Sequence, residues 1–308
     1  MTRRKIALAG IGKIARDAHV PALSDSPDWE LAATISRHNS LDGIDAYEGI
    51  DAFLEARPDI DTVSLALPPG PRLDYAFKAL RAGRHVMLEK PPGRTVTEAR
   101  ALLEAAREAG VTLYASWHSR QGGAVARAAE IVAEHGARHI EIDWREDVRA
   151  HHPDQDWVWD AGNLGVFDPG INAFSIVARM LGRAPWPVSA VLTYPQGRET
   201  PITAEIALAE AGGARIDCRL DWRWTGEDVW TVEAQTGAGL LRLTDSGGRL
   251  FLDGTEQEVG ETAEYPLVYE TLARLVAEGE SEVDLAPLQI AADCFLLARH
   301  ERGEPFEW

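Results

Sequence analysis

Short apolar runs alternate with helical patterns along the first 117 residues. Lys5–Ala9 and Trp29–Ile35 have the composition of buried strands, and Arg72–Arg81 has the spacing of a helix that stops at Gly83. Further strands are predicted at 62–67, 85–88 and 111–115, and further helices at 12–24, 50–55 and 97–109. Strands that alternate with helices in this way indicate a parallel sheet covered on both faces.

The pattern changes beyond residue 117. A helix is predicted over Ala124–His135, a long strand over Ala137–Val148 and another helix over Pro169–Leu181. Between Val188 and Val259, strand-like segments are separated by glycine turns, which is typical of an antiparallel meander. Two helices are predicted to close the chain, at 265–278 and 287–302.

These patterns predict an α/β fold with two domains. Residues 1–117 form a dinucleotide-binding domain of the Rossmann type, with a doubly wound parallel sheet. Residues 118–308 form an α+β domain for substrate binding and oligomerisation, with a large open, mainly antiparallel sheet. This division allows the C-terminal helix to pack on the first domain.

Charge and cysteine content narrow the class of partner. The formal net charge of −18 argues against nucleic-acid binding and against an anionic membrane surface. Cys218 and Cys294 are far apart and form no CxxC pair, which favours buried free thiols in a reducing cytosol. The chain starts with basic residues followed by an apolar run. This run is too short for a signal peptide, so Ile6–Ala9 is interpreted as a strand. We expect a cytoplasmic protein with a neutral small-molecule substrate.

A glycine motif directly follows the first predicted strand. Gly10 permits a tight turn, Gly12 lets the backbone approach a pyrophosphate, and Ala15 allows close helix–strand packing. The neighbouring residues assigned to this cofactor loop are Ile11, Lys13 and Ile14. The alternative is an ordinary glycine turn between two elements.

The end of the second predicted strand bears on cofactor choice. An NAD site usually carries an acidic residue there, but this chain has Ser36, Arg37 and His38. Ser36 and Arg37 can bind a 2′-phosphate, so NADP is the expected cofactor, with NAD as a second possibility. The alternative is that Arg37 is a solvated turn residue.

Three segments together resemble the Gfo/Idh/MocA family of oxidoreductases: the glycine turn, the sequence ALRAGRHVMLEKP ending at Pro91, and Asp168-Pro-Gly-Ile-Asn172. The resemblance covers essentially the whole chain. Within the family, the segment Trp117–Arg120 is similar to bacterial aldose 1-dehydrogenases that act on L-arabinose or D-galactose.

The resemblance implies catalytic roles for Lys90 and Asp168 and a substrate-binding role for Asn172, and places Leu67, Pro68 and Glu89 with Lys90 near the cofactor. Many relatives carry histidine where this chain has Asn172. Because asparagine cannot carry a proton, that role then falls to Asp168 or Lys90. Lys90 is one of only four lysines in the chain, and unlike arginine a lysine can lose its proton at useful pH. Asp168 before Pro169 is alternatively a helix N-cap.

Further candidates for sugar contact are His118, Glu146, Trp157, Trp159 and Trp230. Indole rings stack on the C–H faces of sugars, and their N–H groups can donate to hydroxyls. The alternatives are a hinge position for His118, an exposed position for Glu146 and core packing for the tryptophans. The adjacent histidines at 151 and 152 lack a recognised ligand spacing, so no metal site is expected.

The function expected from these features is oxidation of an aldose at C1 to its lactone, with NADP or NAD accepting the hydride. The alternatives are a dehydrogenase of a cyclic polyol or keto sugar, and a catalytically silent dinucleotide-binding sensor. We also expect a homodimer formed through the open sheet face, which we take to carry alternating apolar residues.

Overall fold

The structure, a computed structural model, describes residues 3–307. The strands are β1 (Arg4–Ala9), β2 (Trp29–Ile35), β3 (Asp45–Tyr47), β4 (Thr62–Leu65), β5 (His85–Glu89), β6 (Leu113–Ser116), β7 (Ala137–Arg145), β8 (Trp186–Tyr194), β9 (Thr203–Ala209), β10 (Arg215–Asp221), β11 (Val229–Thr236), β12 (Gly239–Thr244), β13 (Arg249–Leu252), β14 (Thr255–Glu256) and β15 (Arg299–Arg302). The helices are α1 (Val20–Asp25), α2 (Ile50–Ala56), α3 (Pro69–Arg81), α4 (Val96–Ala109), α5 (Gly123–His135), α6 (Val148–His151), α7 (Phe167–Leu181), α8 (Glu264–Glu278) and α9 (Ala286–Leu297). No helix within the described range is long and apolar enough to cross a bilayer.

The first compact unit contains the residues up to His118 together with Ala263–Leu285. Its six strands form one parallel sheet in the order β3-β2-β1-β4-β5-β6. This is the strand order of a Rossmann fold, so the predicted class of the N-terminal domain is confirmed.

Helix α8 belongs to this first unit because the parallel sheet has two apolar faces. One face packs on α2, α3 and α4. The other carries Ile6, Met87 and Tyr114, which are buried with Tyr269 and Leu272 of α8. A parallel sheet needs cover on both sides, and no helix before residue 118 supplies all of it here. The sequence-based division placed α8 in the second domain.

The second unit contains Ser119–Thr262 and the residues from Ala286 onward. Its nine strands form a sheet in the order β14-β13-β12-β11-β7-β10-β9-β8-β15. Most neighbours are antiparallel, while β10–β7 and β15–β8 pair in parallel. Helices α5, α7 and α9 pack in this unit, and Ile140, Ile142 and Ile216 are buried beneath them. The predicted α+β domain with a mainly antiparallel sheet is confirmed.

The open face of this sheet is charged at its centre, where the sequence analysis expected alternating apolar residues. Asp143 pairs with Arg145 along β7, and His139 lies 2.9 Å from Asp217 of the neighbouring strand β10. Side chains on a strand alternate between faces, so burying Ile140 and Ile142 on one face directs these polar groups to the other. Homodimer formation through this face stays a prediction. The alternating apolar residues on which it was based are not found at the centre of the face.

Three of the differences from the sequence-based prediction have a clear physical reason. Strand β3 was not predicted, because three residues without an apolar run give no periodic signal. The long strand of the second unit ends at Arg145 rather than Val148, since Val148 begins the short helix α6. The last helix ends at Leu297, and Arg299–Arg302 pairs in parallel with β8, which satisfies the edge of that strand.

Candidate functional site

The two glycines of the first turn have different local environments. Gly10 has a φ of 86°, and a Cβ there would lie 2.6 Å from the carbonyl oxygen of Ala66, so the fold itself requires glycine. A Cβ at Gly12 would meet no atom within 4 Å. Packing within the unit therefore does not explain Gly12, and the space at its Cα suits the pyrophosphate of a dinucleotide.

The helix after the glycine turn begins at Lys13, and Ala15–His19 forms a π-helical segment within the span predicted as an α-helix. Ile11 and Ala15 are buried, while Ile14 is 41% exposed. Lys13 Nζ lies 2.5 Å from Asp17 Oδ2. The first N–H groups of a helix have no partner within the helix, so this turn can donate to an anion.

The loop after β2 carries the three residues that were predicted to bind a 2′-phosphate. Ser36 Oγ accepts a hydrogen bond from the Asn39 N–H at 3.3 Å. Arg37 and His38 are exposed. Within residues 3–307 the Arg37 guanidinium has no hydrogen bond or ion pair, so its charge is available to an anionic ligand.

Glu89, directly before Lys90, lies at the centre of a buried polar network. Its Oε1 accepts hydrogen bonds from Tyr265 at 2.9 Å and Ser116 at 3.2 Å, and its Oε2 accepts one from the Lys90 N–H at 3.1 Å. His19 Nε2 lies 3.2 Å from Oε1, within ion-pair distance but outside hydrogen-bond geometry. Burial raises the pKa of Glu89, but the contact with His19 outweighs it and lowers the pKa to about 2.

Arg72 holds the main chain on both sides of Lys90. This guanidinium is 3% exposed and donates to the carbonyl oxygens of Glu89 and Pro91. Its Nε donates to the carbonyl of Leu67 at 2.8 Å. The Lys90–Pro91 peptide bond is cis. Sequence reasoning missed Arg72, because its partners are main-chain carbonyls that no side-chain pattern reveals.

His118 lies against α8 in the first unit. Its Nδ1 is 2.6 Å from Glu264 Oε2, and its ring stacks on Tyr265 at 5.4 Å. Burial lowers the pKa of His118, but the Glu264 carboxylate outweighs it and raises the pKa above its ordinary value. The imidazole therefore has a defined orientation and a carboxylate partner.

In the second unit, Glu146 is buried rather than on the surface. It is 4% exposed, and its two oxygens accept hydrogen bonds from Trp222 Nε1 at 3.1 Å and Trp230 Nε1 at 2.8 Å. Burial raises the pKa of Glu146, while His151 lowers it. The Trp230 N–H is therefore engaged by Glu146, and only the ring face of Trp230 is available to a sugar. Trp222 was not predicted.

Asp168 lies inside the first turn of α7, so its interpretation as an N-cap is wrong. The helix begins at Phe167, the cap position is Val166, and no side chain caps it. Asp168 Oδ2 instead lies 3.3 Å from His152 Nε2. Asn172 is one helical turn further on, and within the described chain its Oδ1 is buried without a hydrogen-bond partner. A buried acceptor of this kind suits a donor from a ligand.

The two tryptophans of the predicted aromatic loop have different environments. Trp157 is 38% exposed, and His152 meets its ring edge-on at 6.4 Å. Trp159 is 2% exposed and packs against Trp222 and Phe306. Trp159 is thus packed in the core of the second unit, where two aromatic rings lie against it, and little of its surface is open to the predicted sugar.

Comparisons with known proteins identify relatives of this chain. A profile of the Gfo/Idh/MocA oxidoreductase family, described as having an NAD-binding Rossmann fold, matches residues 4–116. The galactose 1-dehydrogenase of Pseudomonas fluorescens is 34% identical over 302 residues, which are 98% of this chain and 98% of that protein. The crystal structure of D-galactose-1-dehydrogenase from Rhizobium etli is 44% identical, with a TM-score of 0.95 over 100% of this chain and 99% of that one.

A more distant structure shares the fold alone. The 3-ketoreductase of Actinomadura kijaniata, in complex with NADP and TDP-benzene, is 20% identical with a TM-score of 0.82, over 98% of this chain and 100% of that one. The resemblance recognised from the sequence motifs is confirmed by the family profile and by the Pseudomonas fluorescens relative.

Proposed function

Because this chain belongs to the Gfo/Idh/MocA oxidoreductase family, we propose that it is an NAD(P)-dependent aldose 1-dehydrogenase. Its substrate is a sugar of the D-galactose or L-arabinose type, which is oxidised at C1 to the lactone. The observation that carries the proposal is the full-length likeness to two galactose 1-dehydrogenases. The buried carboxylate of Glu146 and the unpartnered Oδ1 of Asn172 support it, because a sugar offers hydroxyl donors to both.

The first unit has the residues that suit a nicotinamide dinucleotide. A bound NADP or NAD supplies the hydride acceptor. Gly12 and the N–H groups of the turn at Lys13 and Ile14 would hold the pyrophosphate, and the buried Ile11 belongs to the same turn. Ser36, Arg37 and His38 bind the 2′-phosphate, and Leu67 and Pro68 contact the cofactor at the end of β4. The free charge of Arg37 favours NADP over NAD.

The reacting carbon loses a hydride and its hydroxyl loses a proton. Lys90 donates a hydrogen bond to the C1 oxygen and stabilises the negative charge that develops there. Asp168 receives the hydroxyl proton. His118, Asn172 and Glu146 bind further hydroxyls, while the faces of Trp157 and Trp230 pack against the C–H surface of the ring.

The test is turnover of a panel of sugars with NADP and with NAD. We expect reduction of the nicotinamide with D-galactose and L-arabinose, and none with a cyclic polyol. Lys90→Met should abolish turnover while NADP binds with unchanged affinity. Turnover of the polyol alone, or of no sugar at all, would overturn the proposal.

A further inference from the structure

His152 lies directly after α6, next to Asp168 in the first turn of α7. Its Nε2 lies 3.3 Å from Asp168 Oδ2, and its Nδ1 lies 3.4 Å from Gln155 Oε1. The ring meets Trp222 at 5.3 Å and Trp157 at 6.4 Å, both edge-on. Both nitrogens therefore have a defined neighbour, and the aromatic edges fix the plane of the ring.

This arrangement favours one tautomer of the imidazole. An amide oxygen only accepts hydrogen bonds, so the tautomer with its proton on Nδ1 is the one that fits the contact with Gln155. The lone pair of Nε2 then faces Asp168 Oδ2, and two acceptors at this separation repel each other unless they share a proton. The His152–Asp168 pair can thus bind one additional proton between the two side chains.

The surroundings leave this pair partly open to water. The side chain of His152 is 16% exposed and that of Asp168 is 26% exposed. The titratable groups that face His152 include Asp168 from α7 and Glu146 directly after β7, and the charge of His152 lowers the pKa of Glu146. Because the imidazole lies beside these carboxylates, a proton that reaches Asp168 is stabilised when it is shared with Nε2. A proton received by His152 can leave through the exposed edge of its ring.

We propose that His152, acting through Asp168, carries the proton released during sugar oxidation, in place of the histidine that residue 172 lacks. This inference rests on the proposed function. The C1 hydroxyl O–H bond breaks and its proton passes to Asp168. The C1–H bond also breaks, and its hydride is transferred to NADP or NAD. The oxygen electron pair forms the C1=O bond, and the proton is then shared with His152 Nε2. Asn172 orients a hydroxyl and takes no proton.

The kinetic test removes the imidazole and supplies it again in solution. His152→Ala should lower kcat about a hundredfold with KM changed less than about threefold, the range for a lost proton carrier. Added imidazole should restore at least tenfold of that loss, because the substitution leaves a ring-sized space between Trp157 and Trp222. The matched control is His139→Ala, which removes another His–Asp pair, on the open face of the sheet in the same unit. A kcat within threefold of the unmodified protein, or a loss that imidazole does not restore, would overturn the proposal.

A second measurement does not depend on turnover. The titration of the His152 ring, followed by NMR, should have a midpoint at least about one pH unit lower in Asp168→Asn than in the unmodified chain, since the anionic partner is removed. An unchanged midpoint contradicts the pair. If the unmodified protein oxidises no aldose, the proposed function fails while this titration still tests the pair, so the two failures are distinguishable.

Discussion

The buried guanidinium of Arg72 on α3 donates to the main-chain carbonyl of Glu89, the residue immediately before Lys90. The same side chain reaches the carbonyls of Leu67 and Pro91. One arginine thus connects two loops to which the sequence analysis assigned cofactor and catalytic residues. Its five N–H donors in a planar fork make this possible, and lysine cannot reproduce the geometry.

We therefore expect Arg72→Met to lower the free energy of unfolding by about 3 kcal/mol, because buried carbonyls lose their donors. It should also lower kcat by at least about tenfold, since small displacements of a catalytic group are costly. Urea unfolding and steady-state kinetics measure the two effects. The control is Arg81→Met at the exposed end of the same helix, which should change stability by less than about 0.5 kcal/mol. Equal effects of the two substitutions would refute the role of Arg72.

The two glycines of the first turn should separate folding from cofactor binding. Gly10→Ala forces a Cβ against the Ala66 carbonyl at a positive φ, so we expect loss of at least about 2 kcal/mol of stability. Gly12→Ala meets no protein atom within 4 Å, so the melting temperature should be unchanged. Its dissociation constant for NADP should nevertheless rise at least about tenfold, because the methyl group occupies the space of the pyrophosphate. Unchanged affinity in Gly12→Ala contradicts the cofactor loop.

Cofactor choice should depend on the loop after β2. We expect kcat/KM to favour NADP roughly tenfold, a difference of about 1.4 kcal/mol, which one exposed charge-assisted contact can supply. Ser36→Asp combined with Arg37→Ala should reverse the preference, because it adds repulsion and removes attraction. Both cofactors are compared at one fixed ionic strength, since salt screens the contact. A strong NAD preference in the unmodified protein would show that Arg37 does not bind a phosphate.

Glu89 should contribute to acid stability. Its pKa is lowered from 4.5 to about 2 in the folded chain, so the stabilisation is complete above the ordinary pKa and is lost as the pH falls from about 4.5 towards 2. The shift corresponds to about 3 kcal/mol. Between about pH 6 and pH 3, the unmodified protein should lose more unfolding free energy than Glu89→Gln, which has no carboxylate to protonate. Glu130→Gln, at an exposed ion pair with Arg127, is the control. Parallel curves for the unmodified protein and Glu89→Gln would contradict the shift.

The elements that follow from local patterns were predictable from the sequence. Strand β2 has the predicted bounds, Trp29–Ile35, because an apolar run between turn residues identifies a buried strand. Strand β15 was predicted as helix, because its four residues pair with β8 about a hundred positions earlier and carry no apolar period of their own. Propensity gives way to such pairing wherever a sheet edge is available.

Some site residues could likewise be predicted from local sequence motifs, and others could not. Gly10 and Lys90 belong to short motifs and could be named from the sequence. His152 and Trp222 could not, because their partners, Asp168 and Glu146, are distant in sequence and meet only in the folded unit. Asp168 was weighed as a cap because a proline follows it, yet α7 begins one residue earlier and directs its carboxylate to an imidazole.

We propose above all that this chain removes a hydride from C1 of an aldose. D-galactose deuterated at C1 tests it most directly. After turnover with NADP, the deuterium should be found in the reduced nicotinamide, and the sugar product should be the unlabelled lactone. Deuterium retained in an oxidised sugar would place the reaction at another carbon and contradict the account.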